Sequence, residues 1–210
     1  MAREHMPHPV EIRAMTAVER GIELTAKVGE TNSSIARLLG TAHGLVADRR
    51  AGRTPWRPYE LCTIADHWDI SWCAMVNGPA AVEEELTAQH AARVRPLPTS
   101  YTRPRVRSHL VDSVMRAAVG AMTTLTGERQ RELAAVVGSN QGQMAHRQRG
   151  AISWPLADLG RLADHWGVDV CALYGGPGTL IDAAPWPRIV ELRAQNGMPE
   201  LTHEMPAHVA

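Results

Sequence analysis

An internal repeat constrains this chain more than any other feature. Residues 35–79 lie over residues 133–177 at a constant offset of 98 without a gap, and 16 of the 45 aligned positions are identical. That density marks duplication of one supersecondary unit, and two copies are too few to stack as a solenoid. The matched pairs include Gly40/Gly138, Gly44/Gly142, Ala47/Ala145, Arg49/Arg147, Gly52/Gly150, Trp56/Trp154 and Leu61/Leu159. Ala65-Asp66-His67-Trp68 recurs as Ala163-Asp164-His165-Trp166, Cys73-Ala74 as Cys171-Ala172, and Gly78-Pro79 as Gly176-Pro177. A chain of 210 residues has room for two small sibling domains, each with an ordinary core.

The repeated unit reads as helix throughout. Ile35, Leu38 and Leu39 have i, i+3, i+4 spacing behind the capping run Asn32-Ser33-Ser34, and Gly40 stops that helix. A short segment to Gly52 follows, then the stripe Leu61, Ile64, Ala65 and Trp68, then Met75 and Val76. Ile12, Met15, Val18, Ile22 and Thr25 mark a long helix upstream. Copy two repeats the order, with Leu110 to Leu125 upstream, then Leu133, Val136 and Val137, then Met144, then Leu159, Leu162, Ala163 and Trp166. No stretch sustains the alternation of a strand bounded by hairpin turns. The expected architecture is all-α, with two homologous domains of about five helices. Their expected bounds are 10–79 and 109–178, with a connecting helix and extended linker at 80–108. A C-terminal segment at 179–210 holds one helix, Trp186 to Ala194, and is loosely ordered past Asn196. Gly175-Gly176-Pro177-Gly178 reads as a helix exit. Pro79 to Arg93 reads as one acidic-faced helix with Val82 and Leu86 inward. The chain has no Phe, so its core comes from Leu, Val, Ile, Met, Ala and Trp.

Two spans carry the chemistry. Ile35 to Gly52 and Leu133 to Gly150 each resemble the Cro/repressor-type (XRE-like) helix-turn-helix. Each has a small residue early in the first helix (Ala36, Ala134), a glycine at the turn (Gly40, Gly138), a buried aliphatic in the second helix (Val46, Met144) and a closing glycine (Gly52, Gly150). The resemblance covers residues ~12–78 and ~110–176 and implies that the second helix of each copy enters the major groove of DNA. It implies base-reading roles for His43, Leu45, Asp48 and Arg49 in copy one, and for Asn140, Gln141, Gln143, His146 and Arg147 in copy two. Asn and Gln can grip adenine, Arg can grip guanine, and Leu45 can meet a thymine methyl. Asn32 and Gln130 fall where the family anchors a phosphate at a helix N-terminus. Arg37, Arg50, Arg53, Arg57, Arg129, Arg131 and Arg149 are further expected backbone contacts. The sequence departs from the family at Arg50 and Gln148, where an acid is usual, which puts the family's buried salt bridge there in doubt. It also carries Trp56 and Trp154 in the following loop, expected as core.

The charge pattern agrees with nucleic acid only when taken locally. Lys+Arg and Asp+Glu are 22 each, for a net charge of zero. Residues 31–57, 93–107 and 129–149 nevertheless carry +4, +5 and +3, set between acidic stretches. The middle island contains Pro96, Pro98 and Pro104, which favour an extended chain. Its fifteen residues can span ~45–50 Å, and two major-groove sites one turn apart need ~34 Å. Arg103, Arg105 and Arg107 are expected to lie along phosphates or in a minor groove.

Other classes find no support. No apolar run reaches the ~20 residues of a membrane helix, and the polar N-terminus is not a signal peptide. An odd set of three cysteines, Cys62, Cys73 and Cys171, suits a reducing cytoplasm and no disulfide framework. Cys62 is replaced by Gly160 in copy two, so Cys62, His67 and Cys73 make no shared metal site. Cys73 and Cys171 are expected as core thiols, and His67 and His165 as helix-packing residues. No Walker loop, nucleophile elbow or HExxH motif is present, so neither cofactor nor enzyme activity is expected. One lysine against 21 arginines, with no Phe, indicates GC-rich coding. Small tandem helix-turn-helix proteins of such origin resemble immunity repressors of temperate phages of actinobacteria. The resemblance implies a repressor of double-stranded DNA in the bacterial cytoplasm, associated with the nucleoid. It would bind an asymmetric site as a monomer with its pseudo-dimeric partner built in. A helix-turn-helix module that binds protein, such as an antitoxin or a polymerase-binding regulator, is the alternative.

Overall fold

The computed structural model describes residues 7–96 and 107–200, and every regular element among them is helical. The first half runs α1 (Pro9–Thr25), α2 (Asn32–Leu39), α3 (His43–Arg50), α4 (Pro58–Trp68), α5 (Trp72–Asn77), α6 (Pro79–Glu85) and α7 (Ala88–Ala91). The second runs α8 (Arg107–Thr126), α9 (Gln130–Val136), α10 (Gln141–Gln148), α11 (Leu156–Trp166), α12 (Val170–Tyr174), α13 (Gly176–Ala183) and α14 (Trp186–Gln195). A single 3₁₀ turn, Ala26–Val28, follows α1.

The helices begin and end where local chemistry dictates. Thr31 caps α2, its hydroxyl accepting from the Ser34 amide while the Ser34 hydroxyl accepts from the Thr31 amide. This reciprocal pair satisfies amides that have no partner inside the helix. Gly40 at φ 63° and Gly138 at φ 68° carry the chain out of α2 and α9 through the left-handed region, where a Cβ is strained. The chain is thereby turned at once into α3 or α10. Val46 and Met144, both fully buried, press those two helices onto the core. Trp56, Trp68, Trp154 and Trp166 are at most 1% exposed and are the large aromatic groups of a core without phenylalanine.

Both halves show the same neighbours. The long helix α1 packs on α5 and α6, and α8 packs on α12 and α13. Likewise α2 meets α3 and α4, as α9 meets α10 and α11. The correspondence at offset 98 extends past residue 79, since Val82/Leu180, Leu86/Ala184, Ala91/Ile189 and Val94/Leu192 are all buried. The five helices expected in each unit are α1 to α5 and α8 to α12, and two further helices follow in each half where one was expected. Gly175-Gly176-Pro177-Gly178 ends α12 at Gly175, as expected of a helix exit, and also opens α13. The expected helix from Pro79 to Arg93 is broken at Leu86, whose ψ of 64° turns its buried side chain inward before Thr87 caps α7. The C-terminal segment is docked as far as Pro199, whose carbonyl accepts from the buried Arg193, and Met198 lies against Gly127.

The halves touch through α1 on α11, α4 on α8, and α5 on α12. Gly160 on α11 makes the first contact close. A Cβ there would stand 2.5 Å from His8 Nδ1 and 2.7 Å from Val10 Cγ1. At the matching place Cys62 borders a cavity of about 530 Å³, lined also by Leu110, Val111 and Tyr174. Among the described residues no helix is long and apolar enough to cross a membrane.

These contacts predict unequal tolerance. Gly160→Val should lower stability by about 1–3 kcal/mol through overpacking against α1. Cys62→Val, beside open space, should cost less than about 1.5 kcal/mol. Urea denaturation of the two variants compares them directly, and equal losses would contradict the packing described.

Candidate nucleic-acid interface

The second helix of each pair carries the residues expected to read DNA. On α10, Asn140, Gln141, Gln143 and His146 are all exposed. Asn140 is also the N-cap, its Oδ1 accepting from the Gln143 amide at 2.8 Å. The Gln143 carboxamide oxygen accepts from the Ser139 hydroxyl at 3.3 Å. The helix and its cap thus expose amide and imidazole groups that both donate and accept.

The matching face of α3 is plainer. Ala42, His43 and Gly44 are exposed, and Leu45 is half-buried. Asp48 accepts two hydrogen bonds from Arg53, at 2.9 and 2.7 Å, so its carboxylate is engaged locally.

Arg49 and Arg147 do not belong to this face, and their expected base-reading role is corrected. Arg49 is 4% exposed and donates from Nε and Nη2 to the two Glu60 carboxylate oxygens, both at 2.7 Å. Its guanidinium carbon lies 5.8 Å from the Trp56 ring centre. Arg147 is 8% exposed, lies 2.5 Å from Asp158 Oδ2, and stands 5.8 Å from the Trp154 ring. Asp158 accepts further from Arg161 at 3.1 Å. Burial holds the Asp158 carboxyl above its usual range, against the opposing pull of Arg147 and Arg161. In both halves one arginine of the second helix, α3 or α10, is tied to one acid of the following helix under a tryptophan lid. These buried ion pairs lie one residue before Arg50 and Gln148, the positions at which the sequence departs from the family pattern.

A second buried acid steadies each pair from the other side. Glu30 accepts from the Ser34 hydroxyl and lies 2.7 Å from His67 Nε2. Glu128 accepts from Trp166 Nε1 at 2.8 Å and from the Thr126 hydroxyl at 2.7 Å, and meets His165 Nε2 at 2.5 Å. Burial pushes both carboxyls up, but hydrogen bonds led by His67 and His165 outweigh it and hold them below the usual range. His67 and His165 therefore tie α4 and α11 to the start of α2 and α9, a sharper role than packing. The pairs Glu30/Glu128 and Glu60/Asp158 also obey the offset of 98. That regularity was the available signal for these acids, and reasoning from surface chemistry passed over it.

The expected backbone contacts divide. Asn32 accepts from Arg50 Nη1 at 2.7 Å, and Arg50 Nη2 donates to Glu19 at 2.9 Å, so both are held within the protein. Arg37 and Gln130 are half-buried. Arg53, Arg57, Arg129, Arg131 and Arg149 are exposed around α3 and α10, with Arg53 bonded to Asp48, Arg131 near Glu132 and Arg149 near His146. Arg103 and Arg105 lie outside the described residues, and Arg107 is the first residue of α8. Among the described residues no group of three His, Cys, Asp or Glu side chains is arranged to hold a metal ion.

No family model matches the chain, and no curated protein or solved structure matches it either.

Two predictions test this core. Arg49→Met or Glu60→Leu alone leaves one charge buried without its partner and should cost about 3–5 kcal/mol. The double variant should recover most of that loss in urea denaturation, because two apolar side chains replace two buried charges. The lowered Glu30 and Glu128 carboxyls make the second. Their contribution is complete above the ordinary carboxylate pKa of about 4.3 and is lost as pH falls through the lowered folded-state value. Glu30→Gln/Glu128→Gln should therefore flatten stability against pH in that acid window, and an unchanged profile would contradict the assignment.

Proposed function

We propose that the chain is a sequence-specific repressor of transcription that binds double-stranded DNA through two Cro/repressor-type helix-turn-helix units on one polypeptide. The observation that carries this reading is α10. Its N-cap Asn140 and its exposed Gln141, Gln143 and His146 supply base-competent groups along the whole of a short helix. That helix is held from behind by a buried ion pair and flanked by exposed arginines. Side chains of this type match the donor and acceptor pattern of major-groove edges. The same helix pair occurs in the first half with a different outward face, so the site read is asymmetric and one chain suffices to cover it. Its arrangement is similar to that of the immunity repressors of actinobacterial temperate phages, which implies silencing of genes by blocking transcription in the bacterial cytoplasm.

One observation favours a second reading for α3. Ala42, Gly44 and Leu45 offer few hydrogen-bonding groups, which suits contact with a protein such as a toxin or RNA polymerase.

Gln141→Ala should relax sequence preference and cost roughly 1–3 kcal/mol of specific binding, with little effect on non-specific DNA. Titration of specific and scrambled duplexes at fixed salt measures both. Unchanged discrimination would remove α10 as the reader.

A further inference from the structure

The contacts between the halves have a symmetry that the sequence repeat alone does not require. The offset of 98 carries α4 onto α11, and the helix order carries α1 onto α8. The contact of α1 with α11 and the contact of α8 with α4 are therefore the same contact with the halves exchanged. A head-to-tail arrangement would make one of them and leave the other open. The third contact joins α5 to α12, an element to its own counterpart. Reciprocal pairs plus one self-pair define an isologous interface, the signature of a two-fold axis.

Side chains agree with this assignment. Val10 of α1 covers Gly160, and Val111, about one turn further along α8 than the counterpart of Val10, lines the cavity beside Cys62, the residue that matches Gly160. Near the self-pair, the rings of Trp72 and Tyr174 lie 5.8 Å apart. Burial pushes the Cys171 thiol well above its usual range, and a hydrogen bond with the Cys73 thiol adds to this. Cys73 and Cys171 are themselves repeat partners, so equivalent atoms meet where the axis must pass. The symmetry is approximate because the two sides are filled differently. Glycine admits α1 closely on one side, and on the other Cys62 and a cavity take its place.

We propose that the two repeats pair about a local two-fold axis through α5 and α12, so that the DNA site consists of two unequal half-sites in inverted orientation. The proposal rests on the DNA-binding reading above. A two-fold axis inverts one reading helix relative to the other, whereas a translational repeat would require half-sites in the same direction. The half-sites differ in sequence because α3 and α10 differ at four outward positions, 42, 43, 45 and 48 against 140, 141, 143 and 146.

The test makes the two reading faces identical in the full chain. Ala42→Asn, His43→Gln, Leu45→Gln and Asp48→His give α3 the face of α10, and the reverse set on α10 supplies a second variant. All eight positions are exposed or half-buried, so neither set disturbs the core. Selection from random duplexes should yield an inverted repeat for each variant. It should be preferred over the direct repeat of the same half-site by on the order of a hundredfold. A direct repeat, or loss of all binding by both variants while the parent still binds, overturns the proposal. A DNA-independent measurement accompanies it. In a Cys62→Ala chain, a short bis-maleimide should link Cys73 to Cys171 within one molecule, as read by peptide mapping. Because burial suppresses the Cys171 thiolate, the reaction is run at a pH raised until N-ethylmaleimide alone modifies both thiols, and failure to link them there overturns the two-fold pairing. Linking without DNA enrichment by parent or variants overturns the DNA reading and the half-site assignment, and leaves the pairing of the repeats standing.

Discussion

The position of each outward helix depends on one buried ion pair. Arg49 and Arg147 sit on the helices that face solvent, yet their guanidinium groups point inward to Glu60 and Asp158 beneath Trp56 and Trp154. A helix of eight residues is too short to be stable by itself. With only Val46 or Met144 as a fully buried apolar anchor, α3 or α10 has little to fix its rotation. The ion pair adds direction to that anchor. It ties the last turn of the outward helix to the first turn of the next one, and so sets which side chains face out. Desolvation makes such a pair a weak source of net stability. Its value here is orientational, and its recurrence in both halves on different acids, Glu in one and Asp in the other, fits that role.

The same pair alters the electrostatic picture. The basic segments around the outward helices owe part of their charge to Arg49 and Arg147, which are neutralised internally. Arg50 is likewise bonded to Glu19 and Asn32. On the DNA-binding reading, the exposed cations left to meet phosphates are Arg57 in the first half and Arg129 and Arg149 in the second, since Arg53 is held by Asp48 and Arg131 lies beside Glu132. On the same reading, attraction to DNA is more modest than the block charges suggest, and sequence-dependent contacts from α10 would carry more of the discrimination. A chain with zero net charge and acids over the remainder of its surface suits that balance, since it limits indiscriminate adhesion.

Much of the fold was legible because helix signals are local. The spacing of Ile35, Leu38 and Leu39, the stop at Gly40, and the stripe Leu61, Ile64, Ala65 and Trp68 each place an element correctly. Tertiary decisions were harder. Arg49 and Arg147 lie three residues after the buried Val46 and Met144, a spacing that puts them near the inward face. Their chemistry suggested the groove, while their position indicated the core. The break at Leu86 reflects competition between a helical continuation and the burial of one leucine, which propensity does not resolve. Extension of the repeat through α6, α7, α13 and α14 was hidden because identity fades there while burial persists, as at Val94 and Leu192. The pairing of the halves was not legible at all, since it depends on a glycine at 160 meeting a histidine and a valine some 150 residues earlier in the chain.

The central claim is that a single chain recognises one DNA site with both of its outward helices. Selection of duplexes by the unmodified protein, followed by hydroxyl-radical footprinting and mass measurement of the complex, tests it most directly. The account predicts one chain per duplex, protecting two segments on the same face of the DNA with unequal sequences. A perfect palindrome occupied by two chains, or enrichment of no sequence at all, would contradict it.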